Sequence, residues 1–252
     1  MDRIVFLGTG GARFVMARQI LATGGLWLVL NGTEISLDPG PGAIVHAKKK
    51  KLDPTRLAGI LISHRHLDHC GDVNVMIEAM TEGGTRRRGA VFAPEDALED
   101  DPVVLRYLRP FVEEVVVLRP LQRYRVGETA FETSMPHRHG AVQTLGFRFF
   151  TAGPVVCYLP DTRYFPELAD FYRGDILIMA VLLAEPRPGI PHLSVPEARQ
   201  LLLDLRPKVA LLTHFGTTVW QARPWELAAR LTEETGVRVV AARDGMEFSL
   251  EL

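Results

Sequence analysis

Leu57-Ala58-Gly59-Ile60-Leu61-Ile62 runs directly into Ser63-His64-Arg65-His66-Leu67-Asp68-His69, and this junction decides how the chain is read. The first six residues are apolar, rich in branched side chains and bounded by turn-like segments, the pattern of a short buried strand. Three histidines and one aspartate then fall within six residues, where that strand ends and becomes loop. In extended backbone alternate side chains share a face, so His64, His66 and Asp68 converge. His69 joins them if the chain turns after Asp68. Imidazole nitrogen and carboxylate oxygen are donors that zinc, iron and manganese accept. The competing reading, a solvated His-rich loop, does not explain four such residues behind a core strand.

His64 to His69 fit His-x-His-x-Asp-His, and here the chain resembles the metallo-β-lactamase superfamily. That resemblance implies further residues at later strand ends, and the sequence has candidates for each. The strand Ala130 to Ser134 delivers Met135-Pro136-His137-Arg138-His139, followed by the Gly146-Phe147-Arg148-Phe149 strand. The family's spacing favours His139 as a ligand, with His137 as its supporting or substrate-facing neighbour. The strand Val155 to Leu159 ends at Pro160-Asp161-Thr162, the context of the family's bridging aspartate. An aspartate capping the following helix, Tyr164 to Tyr172, is the plainer reading of the same residue. Val209 to Thr213 delivers His214, which matches the last ligand. His192 precedes Ser194, which starts a capping box with Glu197, and phosphodiesterase-type members carry a proton-donating histidine there. Asp38, after Glu34 to Leu37, matches the buried aspartate that supports the histidine loop.

The resemblance covers essentially all of residues 1–252 and implies one domain, a four-layer α/β/β/α sandwich. It places one divalent transition metal ion on His64, His66 and His139 and a second on Asp68, His69 and His214, with Asp161 between them. Zinc is the first expectation, manganese or iron the alternatives. Two such ions share and acidify a hydroxide, Asp68 orients it, and His192 protonates the leaving oxygen.

Composition narrows the substrate. The 252 residues carry a net charge of −1, so no global field gathers a polyanion or an anionic membrane. No apolar run is long enough to span a bilayer, and the start of the chain lacks the pattern of a secretory signal. Two cysteines, Cys70 and Cys157, make no disulfide framework and fit a reducing cytoplasm. Local basic features are Lys48 to Lys51, read as the solvated end of a short helix, and Arg86-Arg87-Arg88. Arg87 is a candidate phosphate contact, against an exposed-loop alternative. Gly8-Thr9-Gly10-Gly11 lacks the lysine of a P-loop and reads first as a tight turn, with phosphate cradling as its functional alternative.

Asp161 in place of cysteine, together with His192, directs the reading to a small or short nucleic-acid phosphodiester rather than a lactam. The likeness is to tRNase Z-like and cyclic-phosphodiesterase-like members, although no long glycine- and basic-rich arm for gripping tRNA is evident. An ester, lactone or thioester hydrolase could use the same ions, and a di-iron redox protein the same ligands. The sequence is compatible with a homodimer.

Overall fold

The computed structural model describes residues 1–99 and 101–251. The strands are β1 (Arg3–Phe6), β2 (Leu26–Leu30), β3 (Thr33–Leu37), β4 (Leu57–Leu61), β5 (Ala90–Pro94), β6 (Glu114–Leu118) and β7 (Arg123–Val126). They continue as β8 (Thr129–Thr133), β9 (Phe147–Phe150), β10 (Val155–Leu159), β11 (Ile176–Ala180), β12 (Val209–Thr213), β13 (Arg238–Ala241) and β14 (Glu247–Ser249). They form two seven-stranded sheets, ordered β14-β1-β2-β3-β4-β5-β6 and β13-β12-β11-β10-β9-β8-β7.

Side-chain alternation explains the layers. Ile4 and Phe6 of β1 and Leu26, Leu28 and Leu30 of β2 face the other sheet, where they meet Phe131, Phe147, Val156, Ile178 and Leu211. Val5, Trp27 and Val29, one residue out of phase, face a helical layer through Ala43, Val73, Met76 and Met80. In the second sheet Leu177, Met179, Ala210 and Leu212 pack outward against Leu201, Leu202, Leu227 and Leu231. Strands covered on both faces have no polar side to show, so β2 and β11 are apolar without interruption. Each fully buried Phe, Leu or Ile contributes about 1.5–3 kcal/mol to holding these layers together.

The helices are α1 (Ala12–Arg18), α2 (Ala43–Lys49), α3 (Leu67–Cys70), α4 (Val73–Met80), α5 (Glu95–Leu98), α6 (Leu168–Phe171), α7 (Val195–Leu205), α8 (Thr217–Gln221) and α9 (Pro224–Thr235). None is long and apolar enough to cross a membrane. The expected α/β/β/α sandwich is the observed architecture. The β2–β3 hairpin turns through Asn31 and Gly32, φ 51° and 73°, the paired left-handed geometry an Asn-Gly turn supplies. Glu197 closes back on the Ser194 backbone N–H at 2.8 Å to start α7. The helix expected over Tyr164 to Tyr172 shrinks to α6, because Pro166 falls inside that span and interrupts helical hydrogen bonding.

Strand direction positions the functional residues. β3, β4 and β5 run parallel, and β1 matches them through two antiparallel steps. β10, β11 and β12 run parallel, and β8 matches β10 in the same way. In each sheet these strands therefore end at one edge, and the loops carrying Asp38, His64 to His69, His139, Asp161 and His214 meet there.

Candidate metal centre

Two groups of donors face each other across this edge. His64, His66, His139 and Asp161 bring one ligand atom each within 4.8 Å of one another, and Asp68, His69, Asp161 and His214 do the same. Asp161 belongs to both groups. Its carboxylate lies 3.7 Å from His64, 3.5 Å from His69 and His139, and 3.3 Å from His214.

The outer ring nitrogens show how the inner ones are aimed. His139 Nδ1–H donates to the Pro191 carbonyl at 3.0 Å, and His69 Nδ1–H donates to Asp38 Oδ2 at 2.9 Å. The Ser63 hydroxyl gives its proton to Asp38 Oδ2 at 2.6 Å, so it must accept from His64 Nδ1–H at 3.0 Å. His64 and His139 thus carry their proton outward and turn the Nε2 lone pair inward, as metal-ligating histidines do, and His69 holds its outer Nδ1–H on Asp38. Asp38 is the hub of this support. It also accepts from the Ser63 N–H at 2.6 Å and the Tyr158 hydroxyl at 2.7 Å.

The inner atoms lack partners suited to neutral imidazoles. His64 Nε2 and His66 Nδ1 approach to 3.0 Å, His139 Nε2 and His66 Nδ1 to 3.1 Å, and His69 Nε2 and His214 Nε2 to 3.0 Å. Asp161 Oδ1 and His214 Nδ1 are buried without a hydrogen bond. Convergent lone pairs around buried carboxylates fit divalent cations. The electrostatics agree. Burial, then neighbouring His69, holds His64 well below its ordinary value, and burial pushes His139 down to about 4, so both stay neutral. Burial opposes charge on His69 as well, but Asp68, Asp161 and Asp38 outweigh it and push it well above the usual range. The centre is a place where positive charge is stabilised. Burial acts against ionised Asp68 and Asp161 too, yet the surrounding imidazoles hold both carboxyls well below the usual range.

The glycine loop after β1 closes one wall, and it is not a phosphate cradle. Gly8 and Gly10 N–H donate to the Gly25 and Ala22 carbonyls, Gly11 N–H to Phe215, Thr9 N–H to Asp244 Oδ1, and Ala12 N–H to Asp68 Oδ2 at 2.7 Å. Every one of these donors is spent. Gly11 is required for space, since a Cβ there would lie 2.2 Å from the His214 ring. His214 itself holds φ 61°, a left-handed strain at one of the convergent donors.

Two expected substrate contacts are placed elsewhere. Arg87 lies before β5, at the opposite edge of the sheet, and its guanidinium donates to the Val112 and Glu113 carbonyls. His137 points away from the donor groups. Its Nδ1–H donates to the Asp161 carbonyl at 3.0 Å, which leaves Nε2 to accept from the Tyr172 hydroxyl at 2.6 Å. Burial pushes it down to about 4, so it stays neutral in this role. His192 stands at the rim, its Nδ1 3.6 Å from Asp161, its ring edge-on to His139 and stacked on His214. Sequence reading missed Asp244, whose carboxylate also accepts from the Thr9 hydroxyl and the Ala22 N–H and pins the glycine loop from 222 to 235 residues away.

His139→Ala is therefore expected to weaken the first ion far more than His137→Ala does. Loss of a supporting partner costs about 10–100-fold in affinity, and loss of a direct ligand exceeds that. Chelator competition on the two metal-loaded variants checks the order; equal losses, or the reverse order, would overturn the choice of His139.

Residues 33–215 match the family model described as Beta-lactamase superfamily domain. The uncharacterized protein MJ1374 of Methanocaldococcus jannaschii is 32% identical over 98% of this chain and 94% of its own length. A ribonuclease Z of Kineococcus radiotolerans is 29% identical over 58% of this chain, and the match spans 46% of that relative. Among solved structures, the metallo-beta-lactamase fold protein YhfI of Bacillus subtilis superposes with a TM-score of 0.81 at 16% identity, over 98% of both chains.

Proposed function

The chain belongs to the beta-lactamase superfamily, and from that premise we propose that it is a dinuclear metal-dependent phosphodiesterase acting on a small or short single-stranded phosphodiester. The observation that carries this reading is a buried aspartate shared by two donor groups, with an uncommitted histidine beside it. His64, His66 and His139 would hold one ion, Asp68, His69 and His214 the other, and Asp161 both. Bound there, two divalent ions supply Lewis acidity that acidifies water and offsets charge at the reacting centre.

The protein's own groups divide the remaining work. Asp68 is fixed by the Ala12 N–H and lies 3.3 Å from His214, so its carboxylate is set to orient the attacking water. His192 lies beside Asp161, His139 and His214 at the rim, where it can give a proton to the departing oxygen. A phosphodiester needs both, because its charge must be offset and its alkoxide leaving group must be protonated. A thioester leaves as a thiolate without that proton. The ribonuclease Z relatives support the reading, since the enzyme of that name acts on RNA.

The test is a substrate panel of bis-p-nitrophenyl phosphate, cyclic nucleotides, a thioester and a lactam. Phosphodiesters are expected to lead in kcat/KM by at least about tenfold, equivalent to about 1.4 kcal/mol of transition-state preference. A faster thioester or lactam would assign the protein to the other class.

A further inference from the structure

His66 is the exception within the first donor group. His64 is oriented by Ser63 and His139 by Pro191, but among the described residues His66 Nε2 has no hydrogen-bond partner. His66 is also only half-buried. With nothing gripping its outer nitrogen, its position depends on the backbone that carries it.

The segment that carries it is tied from outside, through the Arg65 side chain, to Asp96. This aspartate lies on α5, after β5, and its side chain is buried. Its Oδ2 accepts the Gln143 N–H at 2.9 Å and lies 3.3 Å from Nε of Arg65, the residue between His64 and His66. Gln143 is four residues past His139, on the loop that carries that ligand. One carboxylate oxygen therefore joins the two segments that supply all three histidines of the first group. A second tie, Leu145 N–H to the Ser63 carbonyl at 3.1 Å, joins the same segments at the strand ends. Within the segment, the Cys70 thiol donates to the Arg65 and His66 carbonyls and the His69 and Cys70 N–H groups to the His66 carbonyl. Between the two segments, among the described residues, the Asp96 tie is the one that acts beyond Ser63. Arg65 also lies 3.5 Å from Asp101, but that carboxylate is 88% exposed, and such pairs contribute little. No comparable contact links Asp96 to Asp68, His69 or His214 among the described residues.

We infer that Asp96 is a positioning residue for the first ion alone: it clasps the His64–His66 segment to the His139 loop and sets the reach of His66. The inference rests on the two-ion reading above. A merely structural aspartate would lower thermal stability without telling the two sites apart.

The test separates the sites by background. His214→Ala leaves the first donor group intact, and His139→Ala leaves the second. Zinc affinity of each metal-stripped protein is measured by chelator competition, with and without Asp96→Asn. In the His214→Ala background Asp96→Asn is expected to weaken zinc by about 10–100-fold, the usual worth of a supporting contact. In the His139→Ala background the change should stay within about threefold, as for independent sites. Arg65→Gln supplies a second variant should Asp96→Asn fold poorly; it should reproduce the selective loss, and the double variant should be no worse than either single one. Equal weakening in both backgrounds, or none in the first, overturns the clasp while leaving the two-ion reading in place. Wild-type protein that binds no zinc overturns that reading, and the clasp with it.

Discussion

Asp161→Ala is expected to leave the protein folded, to cut its metal content from about two equivalents to at most one, and to lower kcat/KM by at least about 10³-fold. The reason is its shared position. Its carboxylate stands within 3.7 Å of His64, His69, His139, His192 and His214, and none of these imidazoles can replace it as a donor to both groups. A thousandfold loss corresponds to about 4 kcal/mol of transition-state stabilisation, which a metal pair readily supplies. Folding should survive because the Asp161 carbonyl, not its side chain, is tied to His137. Removing it also leaves fewer buried negative charges to balance. Elemental analysis of protein purified without chelator, beside circular dichroism and phosphodiester rates, provides the readout. Two equivalents retained in the variant would deny Asp161 its bridging role. A wild-type value near zero after metal supplementation would remove the centre itself.

Most of the fold was legible because its strands are short, apolar and alternate between two packed faces. Val209 to Thr213 and Val155 to Leu159 could be read from composition alone, and the structure has them as β12 and β10. The donors were legible for a related reason, since each follows such a strand directly. Helices near the centre were not. α1 starts from Gly11 without a capping side chain and α8 from Gly216 likewise, so neither announces its beginning. Long-range support was equally hidden. Asp38 could be suspected from its strand, but nothing local marks Asp96 or Asp244, whose partners lie 31 to 47 and 222 to 235 residues away. Arg87 misled, because its donors go to nearby carbonyls rather than to the site edge. The glycine loop's amides are committed to protein acceptors, which removes the phosphate alternative and leaves the tight turn.

His192→Ala is expected to spare metal content while lowering kcat on alkoxide-like leaving groups by about 10²–10⁴-fold, the usual worth of a positioned acid. His192 sits beyond the strand-end donors, just ahead of α7, and belongs to neither donor group. Its Nδ1 lies 3.6 Å from Asp161, and its side chain is 13% exposed, so the ring faces both the centre and the solvent edge. From there it can reach a leaving oxygen without displacing the attacking water. Leaving-group dependence distinguishes proton donation from substrate binding. A p-nitrophenolate departs without needing a proton, so its rate should fall far less than that of an alkyl ester of the same phosphodiester. If His192 only positioned the substrate, both leaving groups would lose equally, with the loss falling largely in KM. If it held an ion, metal would leave with the ring. A steep dependence on leaving-group pKa in His192→Ala, absent in the wild type, is the signature of a missing acid, because the unassisted oxygen must then depart as its anion.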